Sequence, residues 1–132
     1  MFVLDTNVCI HIVNHASAKI AARFRKIPPR EIALCSIVKA ELLGAYHSQR
    51  VDANVRLLQE LFEPLSSLPF DDRCAEVAGR IRADLRVQGT PIGANDLLIA
   101  ATALAHDAVL VTHNTREFAR VSGLRLEDWE EN

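Results

Sequence analysis

Three carboxylates that lie far apart in the sequence occupy places where α/β proteins carry functional side chains. Asp5 follows a short apolar run at the start of the chain, Glu41 lies in a predicted helix, and Asp96 opens a long apolar segment. Taken singly, the two aspartates could cap helices and Glu41 could face solvent. Brought together, the three would repel one another unless a cation lay among them. Mg²⁺, with Mn²⁺ as a substitute, prefers such oxygen ligands and could direct water against a phosphodiester.

Polar residues near these acids could support a site of this kind. Thr6 and Thr112 could each hydrogen-bond a carboxylate or a phosphate, although ordinary strand-end bonding explains them equally well. Asn7 and Asn95 could supply neutral contacts beside the two aspartates, or serve in turns and caps. Among the five histidines only His113 lies beside the predicted site, as a phosphate or base contact or as loop surface. No histidine is predicted to bind the metal.

Apolar runs with the character of strands alternate along the chain with segments of helical periodicity. The predicted strands cover residues 2–5, 32–35, 65–68, 109–112 and 124–126. The predicted helices cover residues 8–13, 17–26, 36–47, 51–62, 71–88, 95–106 and 116–121. This alternation predicts an α/β fold, a parallel sheet covered by helices on both faces, in one domain spanning residues 1–132. Ligands of such sheets bind at the carboxyl ends of the strands, where Asp5 and Thr112 fall.

The spacing of apolar residues also predicts which helix faces pack inward. In the segment 36–47, which Ser36 is predicted to cap, Ile37, Ala40 and Leu43 are expected to face the core, with Leu42 as a further candidate. In the segment 71–88 the apolar stripe is longer and more regular. Its predicted members are Cys74, Val77, Ala78, Ile81 and Leu85.

Composition narrows the class of protein. The chain has 132 residues, 49% of them hydrophobic, but no apolar run approaches the roughly 18 residues that a membrane span needs. Met1 leads directly into a strand, so no signal peptide and no membrane attachment are expected. Cys9, Cys35 and Cys74 are too widely spaced for a zinc or redox motif, and we expect buried thiols in the cytoplasm.

The charge balance does not suggest simple coating of nucleic acid, because the formal net charge is −2. Twelve arginines against three lysines nevertheless favour phosphate contacts, since the guanidinium group offers a planar fork of donors. Two basic clusters are candidates for a rim that faces RNA: Arg23, Arg25, Lys26 and Arg30, and Arg80, Arg82 and Arg86. The acidic tail 127–131 is expected at the surface beyond Trp129.

Several short motifs, taken in their order along the chain, indicate a protein family. They are Leu4-Asp5-Thr6-Asn7, Ala40-Glu41-Leu42, Pro91-Ile92-Gly93-Ala94-Asn95-Asp96-Leu97-Leu98-Ile99-Ala100, Leu110-Val111-Thr112-His113-Asn114 with Glu117-Phe118, and Leu126-Glu127-Asp128-Trp129. With these motifs in this order, the chain resembles the PIN-domain ribonucleases, in particular the VapC toxins of type II toxin–antitoxin pairs. It is most similar to the subgroup that cuts initiator tRNA in the anticodon loop. An Asp-Thr-Asn start alone would be a weak signal, but the resemblance runs along nearly the whole chain.

The resemblance implies a three-layer α/β/α sandwich with a parallel sheet of four or five strands. It implies Mg²⁺-dependent RNA cleavage that inhibits translation, a homodimer, and inhibition by a cognate VapB-like antitoxin. By matching position it assigns Asp5 and Asp96 to the metal, and Glu41 to the same acidic site as a third ligand. The family's fourth acid is expected after the strand that ends in Thr112. Here the chain has Asn114 with Glu117 three residues later, so the fourth position and a second metal ion stay open.

Other classes of function fit the sequence less well. A catalytically weakened PIN fold that only binds RNA or a partner is the nearest alternative, with Asn114 in its favour. A phosphoacceptor receiver domain would need adjacent acids after the first strand and a late lysine, whereas the three lysines are Lys19, Lys26 and Lys39. A dinucleotide-binding enzyme lacks the Gly-x-Gly-x-x-Gly turn after the first strand.

Overall fold

A single parallel sheet organises the molecule in the computed structural model, which describes residues 1–130. Its five strands are β1 (Phe2–Leu4), β2 (Ile32–Cys35), β3 (Ser66–Leu68), β4 (Val109–Val111) and β5 (Arg125–Glu127). The order across the sheet is β3-β2-β1-β4-β5, and every neighbouring pair is parallel. The predicted α/β class is therefore confirmed, and the strand number is five.

Helices connect the strands and flank the sheet. They are α1 (Thr6–Val13), α2 (Ala18–Lys26), α3 (Ser36–Ser48), α4 (Asp52–Phe62), α5 (Asp72–Gln88), α6 (Ala94–Ala105) and α7 (Thr115–Phe118), with a 3₁₀ turn at Pro29–Glu31. The chain moves outward from β1 to β3 and then returns past β1 to β4. Because such crossovers are right-handed, this reversal assigns α5 and α6 to the face opposite α3 and α4.

Local sequence signals explain several helix ends. Ser17 caps α2, with its Oγ accepting a hydrogen bond from the Ile20 amide at 3.2 Å. Asp71 caps α5 in the same way through the Cys74 amide at 3.0 Å. Gly89 ends α5 with φ of 71°, a left-handed conformation that glycine adopts without strain. The predicted cap at Ser36 is wrong, because Ser36 is the first residue of α3 and its Oγ donates to the Leu68 carbonyl instead.

The buried face of α3 also differs from the prediction, except at Leu42. Its buried residues are Val38, Leu42 and Tyr46, whereas Ala40 is exposed. Ile37 and Leu43 are only partly buried. The helix carries apolar side chains around most of its circumference, so periodicity alone could not select the inward face.

The core is continuous, and the buried residues of the sheet, α5 and α6 belong to one cluster. The predicted stripe on α5 is confirmed, since Cys74, Val77, Ala78, Ile81 and Leu85 are all buried. The three cysteines are buried free thiols, as expected. Among the described residues, no helix is both long and apolar enough to cross a bilayer.

Candidate active site and family membership

The carboxyl edge of the sheet brings together acids from four different elements. Asp5 directly follows β1, and Glu117 lies in α7, after the neighbouring strand β4. Glu41 lies in α3, after β2, and Asp96 is in the first turn of α6. The order of strands reverses between β1 and β4, and this switch point is where open α/β sheets bind ligands.

Asp5 is held by hydrogen bonds to both of its carboxylate oxygens. Oδ1 accepts from the Thr6 amide at 2.8 Å, and Oδ2 accepts from the Thr112 hydroxyl at 2.7 Å. Burial raises the pKa of Asp5 above its usual value, the two hydrogen bonds partly offset the rise, and the charges of Glu41 and Glu117 add to it. Asp5 also caps α1, so its ordinary structural role and its place in the acidic site coexist.

Glu41 faces this site and not solvent. Its Oε1 accepts a hydrogen bond from the Thr6 hydroxyl at 2.7 Å, and the Asn95 side-chain amide donates to Oε2 at 3.4 Å. Thr6 therefore connects the two acids, since its amide binds Asp5 and its hydroxyl binds Glu41. The predicted carboxylate contacts of Thr6 and Thr112 are present, whereas Asn95 contacts Glu41 and not an aspartate.

Asp96 shows most clearly that the acids act on one another. Its pKa is raised to about 6, first by burial and then by the negative charges of Asp5, Glu117 and Glu41. Burial and like-charged neighbours both raise the pKa of a carboxyl group, because both disfavour its ionised form. The four carboxylates therefore form one electrostatic unit, which we call the acidic site.

Glu117, and not Asn114, brings the fourth carboxylate to the acidic site. Its Oε1 accepts from the Gly93 amide at 3.1 Å, and its Oε2 accepts from the Asn114 side-chain amide at 2.6 Å. The Asn114 backbone amide in turn donates to the Thr112 hydroxyl at 3.0 Å. Asn114 thus positions Glu117, while Gly93 joins it to the start of α6. The contact of Gly93 is one that the sequence did not predict, because a backbone donor leaves no trace in residue type.

The donor set of the acidic site fits a hard divalent cation. All four side chains offer carboxylate oxygens, the ligands that Mg²⁺ and Mn²⁺ prefer. No lysine or arginine within residues 1–130 forms an ion pair with any of the four. Their mutual repulsion therefore lacks a protein cation to offset it, which is the situation that a bound metal ion relieves.

Comparison with known families and proteins agrees with this geometry. A family model described as the PIN domain matches residues 2–124. The chain belongs to the PIN-domain family. As predicted from the ordered motifs, this PIN domain falls among the VapC proteins. It is 38% identical to the tRNA(fMet)-specific endonuclease VapC of Shigella flexneri, over 97% of both chains. It is 36% identical to Ribonuclease VapC1 of Haemophilus influenzae (strain R2866), over 98% of both.

Solved structures of similar chains have the same fold. The PIN domain matches a chain of VapBC2 from Rickettsia felis, crystallised with a DNA fragment from its promoter, with a TM-score of 0.90. That match has 33% sequence identity and covers 97% of this chain and 98% of the other. A chain of DNA-bound VapBC from Salmonella typhimurium matches with a TM-score of 0.89 and 38% identity, over 97% of both chains. The PIN fold predicted from sequence is confirmed.

Proposed function

We propose that this protein is a metal-dependent endoribonuclease and the toxin of a toxin–antitoxin pair. The proposal rests on the four carboxylates that meet at the sheet's carboxyl edge in a PIN fold. Asp5, Asp96 and Glu41 are the proposed ligands of Mg²⁺, with Mn²⁺ as a substitute, and Glu117 completes the catalytic set. When bound, the ion would lower the pKa of a coordinated water and offset negative charge on the scissile phosphate.

The side chains of this protein then have distinct tasks. Thr112 and Thr6 fix the carboxylates of Asp5 and Glu41 through short hydrogen bonds, so these ligands need little reorganisation. Glu117, oriented by Gly93 and Asn114, is the proposed group that aligns the attacking water and accepts its proton. Hydrolysis by this route breaks the phosphodiester and needs no covalent enzyme intermediate.

The proposed substrate is tRNA, with cleavage in the anticodon loop of initiator tRNA. The supporting fact is the relative from Shigella flexneri, which is named a tRNA(fMet)-specific endonuclease. Loss of initiator tRNA would inhibit translation and growth, and the activity would be exerted in the cytoplasm. The experiment is incubation of the purified protein with initiator and elongator methionine tRNA transcripts, with and without Mg²⁺, followed by mapping of the cut ends.

Two variants make this experiment decisive. Asp96→Asn keeps size and polarity but removes one charge, so we expect the cleavage rate to fall by roughly two orders of magnitude or more. Asp84→Asn, a matched change at an exposed position of α5, should cleave like the wild type. Full cleavage by folded Asp96→Asn would refute the mechanism. Binding of tRNA without cleavage under any divalent ion would favour the catalytically weakened alternative.

The proposed partner is a cognate VapB-like antitoxin, and the proposed free state is a homodimer. Support comes from VapBC structures, including a member of the VapBC family of toxin–antitoxin systems from Mycobacterium tuberculosis, matched with a TM-score of 0.68 and 27% identity. If a small reading frame for a VapB-like protein adjoins the gene, its co-expression should yield a complex without RNase activity. Light scattering on the isolated chain should give twice the monomer mass, and a monomer at every concentration would contradict the dimer.

A further inference from the structure

A second group of metal-ligating side chains lies outside the acidic site, beside the ends of β4 and β5. Three segments contribute to it: α1, the turn after β4, and the chain beyond β5. We call it the histidine cluster, and its members are His11, His113, Asp128 and Glu130. One ligand atom from each of His113, Asp128 and Glu130 lies within 4.8 Å of the other two.

One ring nitrogen of the histidine cluster faces two carboxylate oxygens at once. His113 Nδ1 lies 2.9 Å from Asp128 Oδ2 and 2.8 Å from Glu130 Oε2. A single N–H cannot point along both directions, because hydrogen bonds weaken steeply away from linearity. A cation beside the nitrogen would be shared by both oxygens without this angular restriction.

His11 supplies an independent observation. Its Nδ1 lies 3.0 Å from the other oxygen of Glu130, Oε1. Yet this nitrogen is buried from solvent and makes no hydrogen bond within residues 1–130. A buried polar atom whose one close contact does not have the geometry of a hydrogen bond is costly, and such atoms call for an explanation. A ring nitrogen and a carboxylate oxygen at this distance can serve as two ligands of one metal ion.

The negative charges of Asp128 and Glu130 also favour a bound cation. The side chains of Asp128 and Glu130 are only 12% and 24% exposed. In the part of the chain that the structure describes, their only ion-pair partners are the two histidines. The neighbouring Arg23 is occupied elsewhere, since it donates to Glu127 at 2.8 Å and lies over the ring of Trp129. Unless both imidazoles are protonated, two half-buried negative charges here lack a full counter-charge.

We propose that the histidine cluster is a binding site for a divalent ion of the zinc type. Imidazole nitrogen together with carboxylate oxygen suits Zn²⁺, Co²⁺ or Ni²⁺, whereas Mg²⁺ favours the oxygen-only acidic site. The ion would tie the chain beyond β5 to α1 and to the turn after β4. That turn begins directly after Thr112, which holds Asp5, so the ion would also rigidify one support of the acidic site. This inference goes beyond the proposed ribonuclease activity, and only its titration uses the Mg²⁺ site of that proposal.

The test is calorimetric titration with Zn²⁺ in excess Mg²⁺, which occupies the acidic site. The expected result is one Zn²⁺ per chain and a melting temperature that rises with Zn²⁺, because the ion binds the folded state. His113→Asn and Glu130→Gln should each weaken Zn²⁺ binding by at least about tenfold. His47→Asn, at an exposed position of α3, is the matched control and should bind like the wild type.

A spectroscopic readout removes any dependence on how well the variants fold. Co²⁺ added to the wild-type protein in excess Mg²⁺ should give the intense visible bands of a site with nitrogen ligands and low coordination number. His113 is 61% exposed, so circular dichroism should show an unchanged fold in His113→Asn while these bands are lost. Absence of Zn²⁺ binding in excess Mg²⁺, or equal affinity in His113→Asn, would overturn the proposal and leave the cluster as a network of ion pairs.

Discussion

At the residue scale, a single hydroxyl group joins the fold to the acidic site. Thr112 is fully buried, donates to Asp5 at 2.7 Å and accepts from the Asn114 amide at 3.0 Å. It therefore orients one proposed ligand directly and, through Asn114, the turn that carries Glu117. The carboxylates depend on such positioning residues because a site 1 Å too loose loses much of its activity.

Thr112→Val should distinguish the role of Thr112 in positioning Asp5 from its contribution to the stability of the fold. The substitution keeps the shape but leaves a buried carboxylate oxygen and a backbone amide without their partner, at a cost of about 1–3 kcal/mol. We expect RNA cleavage to fall by about 10- to 100-fold, the usual effect of losing a group that orients a metal ligand. Urea unfolding and cleavage rates measure the two effects.

Thr102→Val is the matched control for this prediction. Thr102 is equally buried, but its hydroxyl donates to the Leu98 carbonyl within α6. We expect a small change in the free energy of unfolding and unchanged cleavage. Equal losses of activity in the two variants would mean that Thr112 acts only through stability.

At the scale of elements, α5 and the cap that ends it contain two glycines with opposite requirements. Gly79 has helical geometry with open space around its Cα, whereas Gly89 ends the helix with φ of 71°. Gly79→Ala should therefore stabilise the protein by up to about 1 kcal/mol, since alanine is the better helix former. Gly89→Ala should destabilise it by about 1 kcal/mol, because a Cβ strains the left-handed conformation. Chemical denaturation of both variants should give opposite signs, and equal signs would contradict this assignment.

The two predicted basic clusters differ in how available their arginines are to RNA. Arg23 binds Glu127 and Trp129, so it is less available to RNA than the sequence suggested. Arg82 and Arg86 instead line a cleft of about 490 Å³ together with Pro91, Ile92, Ala94 and Leu97. This cleft adjoins the segment that leads into Asp96, which makes these two arginines the best placed of the predicted rim.

Arg82→Ala and Arg86→Ala should weaken tRNA binding and leave the chemical step intact. We expect KM to rise and the slope of log KM against log salt to fall by about 0.7 for each lost phosphate contact on a single strand. Arg56→Ala, at an exposed position of α4, is the control. A fall in kcat with an unchanged KM would instead assign these residues to the chemistry.

At the scale of the whole molecule, the acidic site opposes folding in the absence of a cation. Burial and the neighbouring acids raise the pKa of Asp96 to about 6, above the ordinary value of 3.8, and the pKa of Asp5 is also raised. The folded state therefore binds protons more tightly than the unfolded state. The stability that this difference contributes is fully present below about pH 4 and is lost as the pH rises through about 6.

Urea unfolding in EDTA across this pH range tests the prediction. Because Asp96 loses its proton over this range, the free energy of unfolding of the metal-free wild type should fall between about pH 4 and about pH 7. Asp96→Asn should lose less, because the amide does not ionise and its replacement relieves the repulsion on Asp5. The same pH dependence in both proteins would show that the acids do not interact as the structure implies. Added Mg²⁺ should restore stability at neutral pH only in the wild type.

The sequence by itself determined the class of fold and the identity of the acids. Strand and helix periods, the stop at Gly89 and the stripe of α5 are local properties, because each depends on neighbours only a few residues away. Asp5, Glu41 and Asp96 stood out through ordered motifs, and Glu117 was one of two candidates for the fourth position. The inward face of α3 was misassigned because several of its faces are apolar.

Only the tertiary structure decided which groups meet. The sheet order β3-β2-β1-β4-β5 places Asp5 beside the turn after β4, so Thr112 can bind it across 107 positions of sequence. The same packing brings Glu117 to the acidic site, where a backbone amide binds it, and gathers the histidine cluster from three segments. Such contacts depend on long-range geometry and on backbone donors, which residue type and spacing do not encode.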